Sequence, residues 1–188
     1  MLIAFEGLDN CGKTTIANML SSYFTNKGIQ VEFTHEFETP VGLLIRELAE
    51  KNELDPILKS YLFAADRHWR TRDYTSDDYK QKLIIFDRYY LSAVAYRIAD
   101  GVDKNWIETL NSIFPKPDIT FYIDITPEES IKRNTKNKFN ILYSRDFLAR
   151  ARNAYISIIK EYNLVYIDGM QSIDDIYKTV LLLVKEKM

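Results

Sequence analysis

The chain has 188 residues, 46% of them apolar and 28% charged, and a formal net charge of −2. That balance suits one globular domain with a full core and excludes a wholly disordered chain. The slight acidity argues against bulk nucleic-acid binding, no apolar run reaches the ~18 residues needed to cross a bilayer, and a single cysteine, Cys11, leaves no internal disulfide. With one thiol and no basic region before Glu6, the expected setting is the cytoplasm, away from membranes.

Leu2 to Phe5 is a short apolar run that stops at Gly7, as a buried strand would. From Thr14 the period becomes helical through Ile16, Met19, Leu20, Tyr23 and Phe24, and Gly28 stands where a helix cap belongs. A second strand is expected around Ile29 to Thr34. Val41, Leu44, Ile45 and Leu48 mark a further helix, and Asp55-Pro56 opens a longer one with a capping acid and a first-turn proline. Leu83 to Phe86 is the third strand. A helix from about Tyr90 to Asp100 ends at Gly101, and Ile119 to Ile125 is the fourth strand. Thr126-Pro127-Glu128-Glu129 reads as a capping box. Leu164 to Ile167 is the fifth strand, and Ile173, Ile176, Tyr177, Val180, Leu181 and Val184 stripe a final helix. Continuous apolar strands alternating with helices predict one α/β domain over 1–188, a five-stranded parallel sheet covered by helices on both faces. Such sheets bind ligands at the carboxyl ends of their strands.

After strand one stands Gly7-Leu8-Asp9-Asn10-Cys11-Gly12-Lys13-Thr14, which matches G-x-x-x-x-G-K-[ST] between a strand and a helix. Backbone N–H groups of such a loop, with the dipole of the following helix, cradle phosphate oxygens. This predicts a P-loop NTPase three-layer fold. The loop residues and the adjoining Thr15 are the candidate ATP contacts, with Lys13 on the β- and γ-phosphates and Thr14 on Mg²⁺. Strand three closes on Asp87, a second candidate for the metal. The residue after it is Arg88, where many ATP hydrolases carry a carboxylate to orient water. No D-x-x-G follows strand three and no N-K-x-D precedes the last helix, the marks of a GTPase. An arginine beside the metal suits an anionic acceptor. A phosphomonoester, with its second pKa at about 6, needs no general base at neutral pH. Lys13, Asp87 and Arg88 are thus the candidate catalytic residues for phosphoryl transfer onto a monophosphate.

On the helix after Pro56, Leu58, Leu62, Ala65 and Trp69 form an apolar face, while Phe63, Arg67 and Arg70 share another at i, i+4 and i+7. An aromatic and arginines on one stripe can stack a base and bond its edge; packing and solvated charge would give the same stripe.

These residues together resemble the thymidylate kinase family over nearly the whole chain. The resemblance rests on Phe5-Glu6-Gly7-Leu8-Asp9, on Leu62-Phe63-Ala64-Ala65-Asp66-Arg67, on Asp87-Arg88-Tyr89 continuing through Ser92 to Ala95-Tyr96, and on Ile167-Asp168-Gly169. It implies Mg²⁺-dependent transfer from ATP to dTMP, with ATP and dTMP as the partners, in a homodimer. It also implies roles: Asp9 on the 3′-hydroxyl, Phe63 on thymine, Arg67 on thymine O4, Arg88 on the acceptor phosphate, with Ser92 beside it, and Tyr96 against the sugar. Arg133 would lie on adenine. A short lid falls at about 133–150, with Lys136, Lys138 and Arg145 as candidates for the transferred phosphoryl group.

The chain departs from the family pattern in places. His35 stands where an arginine usually holds the acceptor phosphate, and Phe37 where a proline lies near the base; Arg46 or Arg70 could substitute for the arginine. Asn10 occupies a loop position that is arginine in some members, and the lid lacks the usual Arg-x-Glu. A kinase for another (deoxy)nucleotide or a small phosphorylated metabolite therefore stays open, as does a non-catalytic nucleotide-binding module.

Overall fold

The computed structural model describes residues 1–74, 81–134 and 143–188. Five strands, β1 (Leu2–Glu6), β2 (Val31–His35), β3 (Leu83–Asp87), β4 (Ile119–Asp124) and β5 (Val165–Asp168), form one parallel sheet in the order β2-β3-β1-β4-β5. The described helices are α1 (Lys13–Asn26), α2 (Pro40–Glu50), α3 (Pro56–Thr71), α4 (Tyr90–Ala99), α5 (Lys104–Asn111), α6 (Pro127–Lys132), α7 (Arg145–Ile158) and α8 (Ile173–Lys187). Among the described residues no helix is long and apolar enough to cross a membrane.

The central strands alternate between two cores. Ile3, Phe5 and Ile85 face the larger one, shared with α1, α7 and α8, while Leu2, Ala4, Ile84 and Phe86 face a smaller one closed by Ala64, Tyr89 and Phe114. Side chains buried this fully contribute roughly 1.5–3 kcal/mol each. The register pairs Phe5 with Asp87 and Asp87 with His35, so β1, β3 and β2 end level with one another. That shared edge is where the loops collect.

The local signals act as expected. Asp55 accepts from the amides of Ile57 and Leu58, and Thr126 accepts from Glu129. Two elements differ from expectation. The segment 104–111 is a helix, capped by Asp103, although its apolar residues are too few to announce one. And α3 is rotated away from its apolar stripe, of which Leu58 and Leu62 are half-buried. Ala65 and Trp69 face solvent, whereas Ser60, Ala64, Asp66, Arg67 and Arg70 are buried. Each buried arginine has a partner for part of its guanidinium: Arg67 on Asn111 and the Tyr89 carbonyl, Arg70 in an ion pair with Asp66. Helix α7 begins at Arg145, so the end of the expected lid span is helical.

Candidate active site

The phosphate loop turns on three left-handed residues, Gly7 (φ 142°), Asn10 (φ 62°) and Gly12 (φ 104°). A Cβ on Gly7 would come within 2.4 Å of the Ile123 carbonyl, so only glycine fits there. From below, α6 braces the loop: Ser130 Oγ donates to the Asp9 carbonyl at 2.7 Å, and Asn10 Nδ2 donates to the Ser130 carbonyl at 3.1 Å. Lys13 is buried and folds over the loop, donating to the carbonyls of Leu8 (2.8 Å) and Gly7 (3.3 Å), with Cys11 Sγ 3.5 Å away. Cys11 itself is buried.

Thr14 Oγ1 donates to Asp87 Oδ2. The strand-end acid and the first-turn hydroxyl thus meet, giving two hard oxygen donors of the kind Mg²⁺ takes. A cavity of about 510 Å³ opens above them, lined by loop residues including Asn10, Lys13, Thr14 and Thr15, and by His35, Arg46 and Arg133. Arg133 is fixed there by Glu129 (2.7 Å) and by the Gly169 carbonyl (3.1 Å).

Arg88 sits at the crossing of β3 and α4 with φ 65°, a conformation that costs a non-glycine residue free energy. Its Nη2 donates to Asp9 Oδ1 at 2.6 Å and to the Tyr96 hydroxyl at 3.2 Å, and its Nη1 donates to Ser92 Oγ at 3.2 Å. The Tyr96 hydroxyl in turn donates to Asp9 Oδ2 at 3.3 Å. Glu36 Oε2 lies 3.9 Å from Arg88 Nε. Burial opposes the charge on Arg88, but Tyr96, Asp9 and Glu36 hold its pKa well above the ordinary value. Burial dominates at Glu36 and pushes its carboxyl up to about 7, against the pull of Arg88 and Arg70.

A second cavity, lined by Asp9, Phe63, Arg67, Arg88, Ser92 and Tyr96 among others, lies between α3 and α4. Phe37, itself left-handed at φ 71°, meets Phe63 edge to face at 5.9 Å. Arg67 is fully buried, with Nη1 on Asn111 Oδ1 at 2.5 Å and Nη2 on the Tyr89 carbonyl at 3.2 Å, and burial lowers its pKa to about 10. It is no surface ion pair.

The expected residues therefore gather at one edge of the sheet. His35 lines the phosphate cavity but pairs through Nε2 with Glu38 at 2.7 Å. Of the two substitutes for the family arginine, Arg46 lines that cavity, its guanidinium 5.5 Å from the Phe37 ring. Arg70 does not: it is buried against Asp66 at 3.1 Å, behind the Arg88 carbonyl. Arg145 is exposed and paired with Glu128, away from both cavities. Lys136 and Lys138 lie outside the described residues. Three charged cavity residues escaped the sequence reading, Glu36, Lys59 and Arg97. Glu36 sits beside His35 in a loop without periodicity; Lys59 precedes Phe63 by one helical turn, the signal that could have found it.

The thymidylate kinase family model matches residues 5–180. The chain is 37% identical to a probable thymidylate kinase 1 of Saccharolobus solfataricus, over all of this chain and 98% of that one. It is 38% identical to a probable thymidylate kinase of Sulfurisphaera tokodaii, over 93% and 90% of the two chains. A thymidylate kinase of Thermoanaerobacter sp. is 33% identical over 98% and 97%. Matched by the family model over most of its length and by relatives at 33–38% identity over nearly all of it, the chain belongs to the thymidylate kinase family.

Proposed function

We propose that this chain transfers the γ-phosphoryl group of ATP to dTMP, giving ADP and dTDP. One observation carries the reading: Asp9, Glu36, Phe37 and Arg88 line both cavities, so a phosphate held by Arg88 stands next to the phosphate loop. An oxygen of the dTMP phosphate bonds to the γ-phosphorus of ATP. The bond from that phosphorus to the β–γ bridging oxygen breaks, and ADP leaves. The attacking monoester is mostly dianionic at neutral pH, its second pKa being about 6, so no side chain removes a proton. Alignment and charge neutralisation are what the protein supplies.

Each residue then has a task. Lys13 leaves the carbonyls of Gly7 and Leu8 for the β- and γ-phosphates, while the loop amides hold their oxygens. Thr14 and Asp87 would hold Mg²⁺, which when bound neutralises charge across those phosphates. Arg133, beside Gly169, flanks the adenine. Arg88 takes the acceptor phosphate, and Arg46 stands on the same cavity wall, where His35 is committed to Glu38. Asp9 and Tyr96 take the deoxyribose, Phe63 and Phe37 the face of thymine, and Arg67 its O4. A donor-only guanidinium at that point refuses the amino group of cytosine.

The reading includes a homodimer and a cytoplasmic setting. Ile57, Tyr61, Ala65 and Trp69, one exposed stripe of α3, offer an apolar face for a second copy. A single buried thiol suits a reducing compartment. Following ATP, Mg²⁺ and dTMP by ³¹P NMR tests the reaction: dTDP and ADP should rise together, one for one. Release of inorganic phosphate without dTDP would refute transfer to dTMP.

A further inference from the structure

Glu6, the last residue of β1, is fully buried and lines neither of the two cavities. A carboxylate in such a place is costly unless hydrogen bonds compensate it. Three donors meet its two oxygens. The Tyr89 amide donates to Oε1 at 3.1 Å, and the hydroxyls of Ser92 and Tyr155 donate to Oε2, the second of them at 3.1 Å.

Two of those donors lead to Arg88. Tyr89 follows it in the chain, and Ser92 Oγ accepts from Arg88 Nη1 at 3.2 Å. The Arg88 amide itself donates to the Phe5 carbonyl at 3.0 Å. The end of β1 therefore grips the left-handed backbone of Arg88 on both sides, by the Phe5 carbonyl and by the Glu6 carboxylate. It reaches the guanidinium as well. A hydroxyl carries one proton, and an ionised carboxylate only accepts. With its proton given to Glu6, Ser92 keeps lone pairs for Arg88. The guanidinium is thus aimed by two carboxylates, Asp9 directly on Nη2 at 2.6 Å and Glu6 through Ser92 on Nη1.

We propose that Glu6 is a positioning residue for the acceptor phosphate: it sets both the backbone and the guanidinium of Arg88 from beneath the site and touches neither substrate. The inference rests on Arg88 as the group that holds the phosphate of dTMP. It makes the acidic residue before Gly7 part of the acceptor site, although the phosphate loop that follows serves the donor.

Glu6→Gln keeps the size of the side chain. Whichever way its amide is turned, an N–H donor faces either the Tyr89 amide or the two hydroxyls. Binding of dTMP and of thymidine, which has no phosphate, is measured by calorimetry for wild type, Glu6→Gln, Arg88→Ala and the double variant, with KM for ATP and thermal unfolding alongside. Glu6→Gln should weaken dTMP by roughly 10–100-fold, the worth of a hydrogen bond to a charged group. Thymidine affinity and KM for ATP should move by less than about twofold, and so should dTMP affinity when Glu6→Gln is added to Arg88→Ala. A merely structural role would weaken dTMP and thymidine alike. A loss on dTMP no larger than the loss on thymidine, or the same further loss in the absence of Arg88, would overturn the proposal. A wild type that binds dTMP no tighter than thymidine would overturn the placing of the phosphate on Arg88, and Glu6 with it; a wild type that prefers dTMP beside an unaltered Glu6→Gln overturns Glu6 alone. Should Glu6→Gln fail to fold, Glu6→Asp keeps the charge and withdraws it from Ser92 by one methylene. It should show the same split between dTMP and thymidine, and equal losses would overturn the proposal.

Discussion

Arg88 Nη2 donates to Asp9 Oδ1 at 2.6 Å, joining the end of β3 to the phosphate loop across 79 residues of sequence. The contact ties the group assigned to the acceptor phosphate to the group assigned to its sugar before either is bound. Its consequence is an energetic coupling between the two. Arg88→Ala should lower kcat/KM for dTMP by about 10²–10³-fold, the usual cost of losing a preorganised charge donor. Asp9→Asn should cost less, and the double variant less than the product of the two. Steady-state kinetics of the four proteins would measure it, and independent effects would deny the coupling.

Glu36 makes stability depend on pH. Its folded carboxyl is raised to about 7 from an ordinary 4.5, so between those values the folded state binds the extra proton. The contribution is complete below pH 4.5 and is lost as pH rises through 7. The full swing amounts to up to about 3 kcal/mol. Denaturant unfolding of wild type and Glu36→Gln from pH 4.5 to 8 should show a difference that grows toward alkaline pH in favour of the variant. A flat difference would contradict it.

Gly7→Ala meets two penalties at once, a φ of 142° and a Cβ 2.4 Å from the Ile123 carbonyl. Backbone cannot yield as a side chain tip can. The variant should lose roughly 3 kcal/mol or more of stability and its ATP affinity. Thermal unfolding with and without ATP reads both.

Phe63→Ala removes the surface assigned to the base while leaving the phosphate loop intact. Stacking on an aromatic is worth about 1–3 kcal/mol, so KM for dTMP should rise roughly 5–150-fold. KM for ATP should stay put. A rise in both would place Phe63 in packing instead.

Much of this was legible in the chain. Gly7 to Thr14, the apolar strands closing on Asp87, and the caps at Asp55 and Thr126 are local signals, written by turn chemistry and by a period of two or 3.6. The orientation of α3 was not. Its apolar count favoured the face of Ala65 and Trp69, and only tertiary partners, Asn111, the Tyr89 carbonyl and Asp66, make the buried arginines tolerable. Arg97 was hidden for a related reason. In the last turn of a helix an arginine reads as a complement to the dipole, and nothing local reveals that it is buried and lines the α3–α4 cavity. Glu36 depends on Arg88, which is brought to it from 52 residues along the chain.

The most direct measurement is kcat/KM by coupled ADP release, with ATP and Mg²⁺, for dTMP, dUMP, dCMP, dGMP, UMP and CMP in parallel. Phe63 under the base, Arg67 at its edge and Tyr96 against the sugar predict dTMP first, with dCMP and both ribonucleotides far behind. Equal activity across the panel, or none with dTMP, would contradict the assignment of the α3–α4 cavity to the thymidylate acceptor.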